Sequence, residues 1–510
     1  MGLWLYIGAS IFLCIFLQAL FNAIRNKKLP PSPPTIPFIG NILWLLKSSK
    51  NFAELELVLR SLRSKYGDIV TIYIGSRPSI FITSHEVAHR ALVKNGTVFA
   101  NRPVALLTTN IFFPKQRTIS QSPYGPIWKL LRQNFMQATQ PSRLNSYSRC
   151  RKWALNILKK YILADIELGN KAIHIDDYFN FALYTLFTYM LWGEKFDKEI
   201  VESIQRVQHC LIYNFIKFNV LNFAPMLSRF VFRGLWREIM QIRENQMNVF
   251  LPIIKARQEK IKNKINVGIE DEDREDLEAY VDTLFDLKVP ESGENFNDEE
   301  LVSMCSEFML GGTDTTATTL LWTMANLVKN QKIQEKLYDE IKEIVKHNEE
   351  IEEEHLKRMP YLKAVVLETF RRHPPGHFIL PRAVIQETIF DGHKIPQKAM
   401  INFPVAEFGW DPSVWENPME FKPERFLSEE NANFDLKGIK EIKMMPFGAG
   451  RRVCPAIYIA TFHLEYFVAN LVRDFKWTIE DGCEVDLSEK QSFTIVMKNP
   501  LRPCLSPRNT

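Results

Sequence analysis

The sequence of 510 residues lacks a Ser/Gly-rich linker, an internal repeat and a low-complexity tract. Although this length would allow roughly two to four domains of ordinary size, nothing in the chain separates them. Its seven cysteines lack the spacing of a disulfide framework, which indicates a reducing compartment. The net charge of only +5 argues against a protein that binds nucleic acid.

The N-terminal region has no charged side chain from Gly2 to Ile24 and is mainly apolar. This is about the length that crosses a bilayer, so we predict a transmembrane helix over residues 1–24. Three basic residues between positions 25 and 28 follow, and the positive-inside rule then places the rest of the chain in the cytosol. A cleaved signal peptide is the alternative, although a basic start and a clear cleavage site are missing.

Acidic side chains and histidine are absent from Arg90 to Ala164, whereas lysine and arginine recur throughout this segment. A long basic segment calls for an anionic counterpart, either an acidic protein partner or anionic lipid headgroups. Scattered, solvated charge is the plain alternative.

Just after the apolar N-terminus, the stretch from Leu29 to Pro37 is rich in proline, which predicts a stiff hinge over residues 25–41.

Periodicity predicts a mainly α-helical fold with a small early β-sheet. The β-rich runs Ile69 to Ile74 and Ser79 to Thr83 predict a hairpin. An acidic stretch between Glu270 and Asn297 is predicted to be a solvated, mobile connection. Helical periodicity covers seven windows: Trp128 to Ala138, Ile173 to Trp192, Trp236 to Asn263, Asp298 to Lys329, Ile333 to Lys346, Tyr361 to His373 and Pro455 to Phe475.

A glycine-containing loop over residues 446–456 carries Cys454 to the start of the last predicted helix. Pro455 suits the first helical position, which places Cys454 where unpaired N–H groups point. Together with Arg451 and Arg452, this position is expected to lower the pKa of the thiol. Phe447 would cover the sulfur. We therefore interpret Cys454 as an iron ligand, although a lone cysteine is more often a small core residue.

Asn297 can cap the helix predicted from Asp298, and Glu300 lies three residues after it. This helix has an unusual centre, Gly311-Gly312-Thr313-Asp314-Thr315-Thr316. Glycine and threonine are poor helix formers, and threonine hydroxyls that bond back to carbonyls bend or widen a turn. Such a turn makes room for a ligand, whereas close helix packing at glycine is the plain alternative. An acid beside an alcohol suits controlled delivery of protons to a reacting oxygen.

The cysteine loop resembles the haem-binding loop of the cytochrome P450 superfamily. That pattern has Phe, Gly, Arg, Cys and Gly at the positions of Phe447, Gly450, Arg452, Cys454 and Ala456, and four of the five match. The departure at Ala456 bears on local packing and redox tuning. The resemblance extends along the whole chain and implies a cytochrome P450 fold, mainly α with small β-sheets (α+β), in which residues 42–510 form a haem-thiolate catalytic domain behind the anchor.

The resemblance implies a bound haem b, iron protoporphyrin IX, with Cys454 as the proximal metal ligand. Phe447 and Gly450 belong to the loop that contacts the cofactor. Asp314 and Thr315 fall on the oxygen-activating acid–alcohol pair of the family.

Three arginines and a tryptophan are implied to bind the haem propionates. Trp128 and Arg132 are four residues apart on a helix, so their N–H donors point to one place. Arg452 and Arg132 rank above the third arginine, Arg382. A core tryptophan and a surface arginine are the plain alternative for the first pair.

The resemblance also implies a structural ion-pair triad. Glu368 and Arg371 share one helix face, and Arg425 lies in the phrase Phe421 to Phe426. We expect this triad to support folding and haem retention instead of chemistry. Without the resemblance, Glu368 and Arg371 would read as a surface ion pair.

The implied function is a monooxygenase of the endoplasmic reticulum membrane, single-pass, with its catalytic domain in the cytosol. It takes electrons from NADPH through membrane-bound NADPH-cytochrome P450 reductase and oxidises a lipophilic small molecule that enters from the lipid bilayer. Residues 463–467 and 409–412 look most like plant A-type members, which suggests specialised metabolism. Four apolar segments are candidates for substrate contact: Leu106 to Phe113, Leu211 to Phe223, Phe378 to Leu380 and Phe493 to Val496.

Two other functions compete with this interpretation. A reductase-independent haem-thiolate isomerase or dehydratase would keep the fold, but Asp314 and Thr315 argue against it. His85 and His89 satisfy the H-E-x-x-H pattern of zinc metalloproteases, yet the stretch that follows through Ala164 contains no acid or histidine to serve as third ligand. A short surface helix is the simpler interpretation of that motif.

Overall fold

The computed structural model describes residues 28–36, 40–41, 44, 55–74, 77–170, 172–222, 225–267, 279–429 and 434–508. The predicted transmembrane helix over residues 1–24 lies outside these ranges, as does part of the predicted hinge over residues 25–41. Within the described ranges, no helix combines the length and the apolar character needed to cross a membrane.

Helices make up most of the described chain. In chain order they are α1 (Leu55–Tyr66), α2 (His85–His89), α3 (Leu107–Phe112), α4 (Pro126–Thr139), α5 (Ser148–Glu167), α6 (Ile175–Trp192), α7 (Lys198–Phe215), α8 (Pro225–Val231), α9 (Arg233–Val267), α10 (Asp282–Phe285), α11 (Asp298–Lys329), α12 (Gln331–Ile344), α13 (Glu353–Lys357), α14 (Pro360–Arg372), α15 (Val405–Gly409) and α16 (Ile457–Asp474).

The strands are short and form four small sheets among the described residues. In chain order they are β1 (Ile69–Ile74), β2 (Arg77–Ile82), β3 (Thr388–Phe390), β4 (His393–Ile395), β5 (Met400–Asn402), β6 (Phe475–Thr478), β7 (Glu489–Gln491), β8 (Ile495–Met497) and β9 (Cys504–Pro507). β2 pairs antiparallel with β1 and parallel with β5, while β3–β4, β6–β9 and β7–β8 are antiparallel pairs.

The predicted secondary structure is confirmed where periodicity was strong. The hairpin and all seven helical windows are present, with the helix ends displaced by at most four residues. Helices α5 and α7 had not been predicted. The predicted solvated connection is wrong at residues 279–285, because Ala279, Tyr280 and Val281 are buried and α10 follows directly. Residues 290–295 are exposed to solvent, as predicted. Most of its first half lies outside the described residues.

The chain divides into two compact units. The first comprises Met1–Val104, His377–Glu416 and Asp435–Val453. Its core collects side chains from three distant parts of the sequence: Ile80 and Ile82 of β2, Ile401 of β5, and Met445 of the cysteine loop. Because these residues are almost fully buried, the hydrophobic effect holds the start of the cysteine loop against the sheet.

The second unit comprises Ala105–Gly376, Asn417–Phe434 and Cys454–Thr510. Its central element is the 32-residue helix α11, which packs against α6, α9 and α16. The predicted N-terminus of α11 is confirmed as a capping box, in which Asn297 and Glu300 each accept a hydrogen bond from the other's backbone N–H. Both Cys454 and the unusual centre of α11 belong to this unit.

Candidate active site

Cys454 lies just before α16. The helix begins at Ile457, two residues later than the predicted start at Pro455, and the backbone N–H of Ala456 points to the Cys454 sulfur at 3.4 Å. Burial raises the pKa of the Cys454 thiol, while this N–H and the nearby charge of Arg132 act in the opposite direction. The expectation of a lowered pKa in the polypeptide alone is therefore wrong, because desolvation outweighs the single donor and Arg451 is exposed to solvent.

The loop before the cysteine requires glycine at position 450. Gly450 has a φ of 71°, and a Cβ there would lie 1.8 Å from the carbonyl oxygen of Leu92. No side chain fits so close to a backbone atom. The short helical turn Gly450–Arg452 can therefore sit directly on the residues that follow α2. Phe447, in the same loop, is half-buried.

Two predicted propionate-binding arginines lie together in the first unit. Arg452 is 8% exposed and donates from Nε to the carbonyl oxygen of Ala100 at 2.7 Å. Arg382 is buried as well, and its Nη2 donates to the backbone carbonyl of Arg452 at 3.4 Å. The Arg382 guanidinium thus reaches the backbone of a second buried arginine, and two buried arginines in one region suit an anionic ligand such as a carboxylate.

Arg132 and Trp128 lie on α4 in the second unit, as predicted. Trp128 is buried, and the Arg132 guanidinium lies 5.5 Å from the centre of its ring. None of the described residues accepts a hydrogen bond from this half-buried guanidinium, although the Cys454 sulfur is close enough for their charges to interact. A half-buried cation beside the cysteine, without an acceptor in the described chain, fits a haem propionate.

The centre of α11 differs from the rest of that helix. Between Leu301 and Val328 all residues are buried except Glu307, Gly311, Gly312 and Thr315. A Cβ added at Gly311 would meet nothing within 4 Å, so this face of the helix borders open space. The Thr315 hydroxyl donates to the carbonyl of Gly311 at 2.7 Å. The predicted back-bond of a threonine hydroxyl is therefore present, and open space borders the Gly311–Thr315 edge, whereas the α-helix continues through these residues without a widened turn.

Gly312 shows the close packing that was the plain alternative. A Cβ at Gly312 would lie 2.5 Å from the ring of Phe187 on α6. The two neighbouring glycines therefore have different roles: Gly312 allows α6 to approach α11 closely, whereas Gly311 borders open space.

Asp314 is buried on the side of α11 that faces α6. Its carboxylate accepts hydrogen bonds from the hydroxyls of Thr313 at 3.2 Å and Tyr184 at 3.5 Å. His209 on α7 places its Nε2 3.9 Å from the other carboxylate oxygen. Burial raises the pKa of Asp314 to about 6, because no lysine or arginine of the described residues pairs with it. Sequence reasoning missed Tyr184 and His209, because both lie more than 100 residues upstream of Asp314.

The predicted triad is assembled around Glu368. Arg371 donates to both carboxylate oxygens of Glu368 at 2.7 and 2.8 Å, and Arg425 adds a longer contact at 3.3 Å. The backbone N–H of Lys422 completes the set at 2.7 Å. The side chains of Glu368 and Arg371 are fully buried. The arrangement ties α14 to the segment from residue 417 to 426, as expected for a structural role.

The predicted substrate segments of the second unit border α11. Phe112 and Phe113 share a hydrophobic cluster with Leu211 and with Leu310, which directly precedes the open Gly311. The hydroxyl of Thr494 bonds Thr318 one turn beyond Thr315. The fourth segment, Phe378 to Leu380, belongs to the first unit, and its last residue is 51% exposed.

The family model for cytochrome P450 matches residues 30–504. The chain belongs to the cytochrome P450 family. A relative from Arabidopsis thaliana, cytochrome P450 89A9, is 44% identical over 98% of this chain and 98% of its own length. Isoflavone 3'-hydroxylase of Medicago truncatula is 28% identical over 97% of this chain, and costunolide synthase of Tanacetum parthenium is 29% identical over 96%.

The fold of this P450 also matches solved structures. A zebra fish cytochrome P450 with progesterone superposes with a TM-score of 0.74 at 19% identity, covering 89% of this chain and 99% of the other. The predicted fold class, mainly α with small β-sheets, is confirmed. Family membership makes the chain a haem-dependent monooxygenase, an oxidoreductase that needs a redox partner and binds lipophilic substrates.

The two histidines of the predicted zinc motif, His85 and His89, bind other groups of this P450. His85 bonds the carbonyl of Ile442 at 2.8 Å and the carboxylate of Asp411 at 3.2 Å. His89 bonds the carbonyl of Ile439 at 3.0 Å. Neither belongs to a potential metal-binding cluster among the described residues. The motif anchors a five-residue helix to the loop at 439–442, in keeping with the simpler interpretation.

Many cations of the acid-free segment are neutralised by acids from elsewhere in the P450. Arg90 pairs with Asp391, Arg117 with Glu300, and Lys159 with Asp474. Lys129 and Lys160 remain on the exposed surface of α4 and α5. The anionic counterpart of this segment is therefore partly internal, which reduces the charge left for a partner.

Proposed function

We propose that this P450 takes electrons from NADPH through a membrane-bound cytochrome P450 reductase and inserts one oxygen atom from dioxygen into an apolar small molecule of plant specialised metabolism. The observation that carries the proposal is the turn at Gly311–Thr315, where an open helix face lies next to a buried carboxylic acid. This is the arrangement expected where protons must reach a reacting oxygen while bulk water is kept away.

The haem would be held by the residues that the cysteine loop and the arginines provide. Cys454 would ligate the iron, with the Ala456 N–H directed to its sulfur. Arg132, Arg452 and Arg382 would bind the propionates. When bound, the haem supplies oxygen activation, which a thiolate ligand promotes by donating electron density.

Asp314 and Thr315 would manage the protons. The raised pKa of Asp314, about 6, lets the carboxyl group both hold and release a proton near neutral pH. The Thr315 hydroxyl borders the open side of α11, and its bond to the Gly311 carbonyl keeps it there. Asp314 faces an adjacent side of α11, where Tyr184 of α6 and His209 of α7 lie next to it and it is largely buried.

An apolar substrate is supported by the cluster that leads to the opening. Phe112, Phe113, Phe218 and Leu310 provide large apolar surfaces with few polar groups. The plant relatives have names of hydroxylases and synthases of small organic molecules, which agrees with such a substrate.

Attachment to the endoplasmic reticulum membrane, with the domain in the cytosol, is supported by two features. One is the uncharged N-terminal stretch before residue 25. The other is α8, whose side chains Met226, Leu227, Phe230 and Val231 are each more than 60% exposed. Adjacent exposed apolar side chains suit contact with lipid. The exposed Lys129 on α4 suits an acidic reductase surface.

The test is to express the full chain in microsomes with and without reductase. We expect a thiolate-type carbonyl spectrum, substrate-induced spectral changes with lipophilic compounds, and incorporation of isotopically labelled dioxygen only when reductase and NADPH are present. Turnover of an organic hydroperoxide without reductase, and without label from dioxygen, would instead support the isomerase or dehydratase alternative. A Cys454→Ser variant should lose the carbonyl spectrum.

A further inference from the structure

His209 occupies a position between solvent and the buried carboxylate of Asp314. Its Nε2 lies 3.9 Å from Asp314 Oδ1 and, among the described residues, has no hydrogen-bond partner. About a quarter of the His209 side chain is exposed, whereas only a tenth of the Asp314 side chain is. The imidazole can therefore contact water on one side and the acid on the other.

The other groups around His209 come from three helices. The ring of Tyr184 on α6 meets it edge to face at 5.4 Å, and that of Tyr213, one turn further along α7, does so at 5.4 Å. Tyr213 is 61% exposed, so it borders solvent. The charge of Asp177 on α6 raises the pKa of His209, while burial, the larger effect, lowers it. Asp314 is the acid that α11 contributes.

Tyr184 is a poor candidate for carrying the proton itself. Burial and the charge of Asp314 raise the pKa of its hydroxyl well above 10. The hydroxyl therefore stays protonated and acts as a hydrogen-bond donor to Asp314. His209 is the remaining neighbour of Asp314 whose side chain can both take up and release a proton.

We propose that His209 is a proton-relay residue that connects Asp314 to solvent. This inference rests on the proposed role of Asp314 in proton delivery. In the relay, the imidazolium gives its Nε2 proton to Oδ1 of Asp314, which leaves a neutral carboxyl group and a neutral imidazole. The neutral imidazole keeps its proton on Nδ1. A flip of the ring then turns the bare Nε2 to solvent, from which it takes a proton, so that one proton moves inward per cycle. A small rotation of the ring brings the two atoms into hydrogen-bond distance.

The relay is tested with His209→Gln, which keeps a hydrogen-bonding side chain but does not titrate. His347→Gln, at an exposed histidine, is the matched control. In the resting holoprotein, the infrared band of the protonated Asp314 carboxyl is identified by its loss in Asp314→Asn and followed against pH. We expect His209→Gln to move the midpoint of this band upward by up to about one pH unit, because the carboxylate loses a neighbour that can take up a positive charge.

Turnover with reductase supplies the second readout. We expect His209→Gln to lower product per NADPH by about tenfold, to increase hydrogen peroxide release and to enlarge the solvent isotope effect. An unchanged infrared midpoint together with the product yield of the control would overturn the relay. If Asp314→Asn itself retained full oxygenation, the proposed role of the acid would fail, whatever the infrared titration of His209→Gln showed.

Discussion

Two buried carboxylates in the second unit have opposite surroundings. Glu368 is bound by two guanidinium groups and a backbone N–H, with its shortest contacts at 2.7 Å. Asp314 has two hydroxyl donors at 3.2 and 3.5 Å and a histidine at 3.9 Å. A carboxylate bound by two cations is fixed in place, whereas one with hydroxyl donors and a histidine nearby remains able to take up a proton. The comparison distinguishes the acid that we expect to be structural from the acid that we propose to transfer protons.

The largest effect is expected at the structural acid. Glu368→Ala leaves Arg371 buried without its partner, which costs about 3–5 kcal/mol. We expect the haem content per polypeptide and the carbonyl spectrum to be lost. The control is Glu354→Ala on α13, where the acid is exposed, and it should keep both. A normal haem content in Glu368→Ala would show that the triad is dispensable.

At Asp314, we expect a substitution to lower turnover and to leave the haem in place. Asp314→Asn should keep the haem and its carbonyl spectrum but lower the rate of oxygenation by about 100-fold, since the amide cannot transfer a proton. Asp339→Asn, at an exposed position of α12, should be unaffected. Oxygenation by Asp314→Asn at the parent rate would place proton delivery elsewhere.

The same substitution should change the pH dependence of stability. The pKa of Asp314 is raised from 3.8 to about 6, so between these values the folded state binds a proton that the unfolded state does not. The stability of the parent therefore falls as pH rises through this window and levels off above it, by about 3 kcal/mol. Asp314→Asn should lack this decline. Denaturant unfolding of parent and variant across the window measures it, and parallel profiles would contradict the raised pKa.

The smallest expected effect is the difference in stability between alanine substitutions at Gly311 and at Gly312. Gly311→Ala meets open space and should stabilise α11 by about 1 kcal/mol or less, through helix propensity. Gly312→Ala would press on the Phe187 ring and should be destabilising. Thermal unfolding of the two holoproteins provides the comparison. If both variants were equally tolerated, the assignment of the open side of α11 would be wrong.

The sequence was most informative about interactions between residues that lie close together in the chain. The cap at Asn297, the back-bond from the Thr315 hydroxyl to Gly311 and the ion pair between Glu368 and Arg371 all depend on residues a few positions apart, and the structure has them as predicted. The fold class followed from the cysteine loop, because the resemblance it carries is specific.

Long-range packing could not be predicted in this way. His209 reaches Asp314 only because α7 crosses α11. The pKa of Cys454 was misjudged because desolvation depends on everything packed around the sulfur, which no local pattern reveals. Similarly, the stretch at residues 279–281 looked acidic and solvated, yet its backbone bonds the end of α6 through Met190 and Leu191.

The parallel pairing of β2 with β5 has a consequence during protein synthesis. Ile80 is matched with Ile401, so the ribosome must add about 300 residues before β2 acquires this neighbour, which takes roughly 15 to 60 seconds. Throughout this interval the nascent hairpin presents an unsatisfied strand edge next to apolar side chains. We therefore expect the yield of folded protein in a heterologous host to rise when a chaperone covers this edge. The yield should also rise when synthesis is slowed, because fewer unfinished chains are then present to pair with the edge.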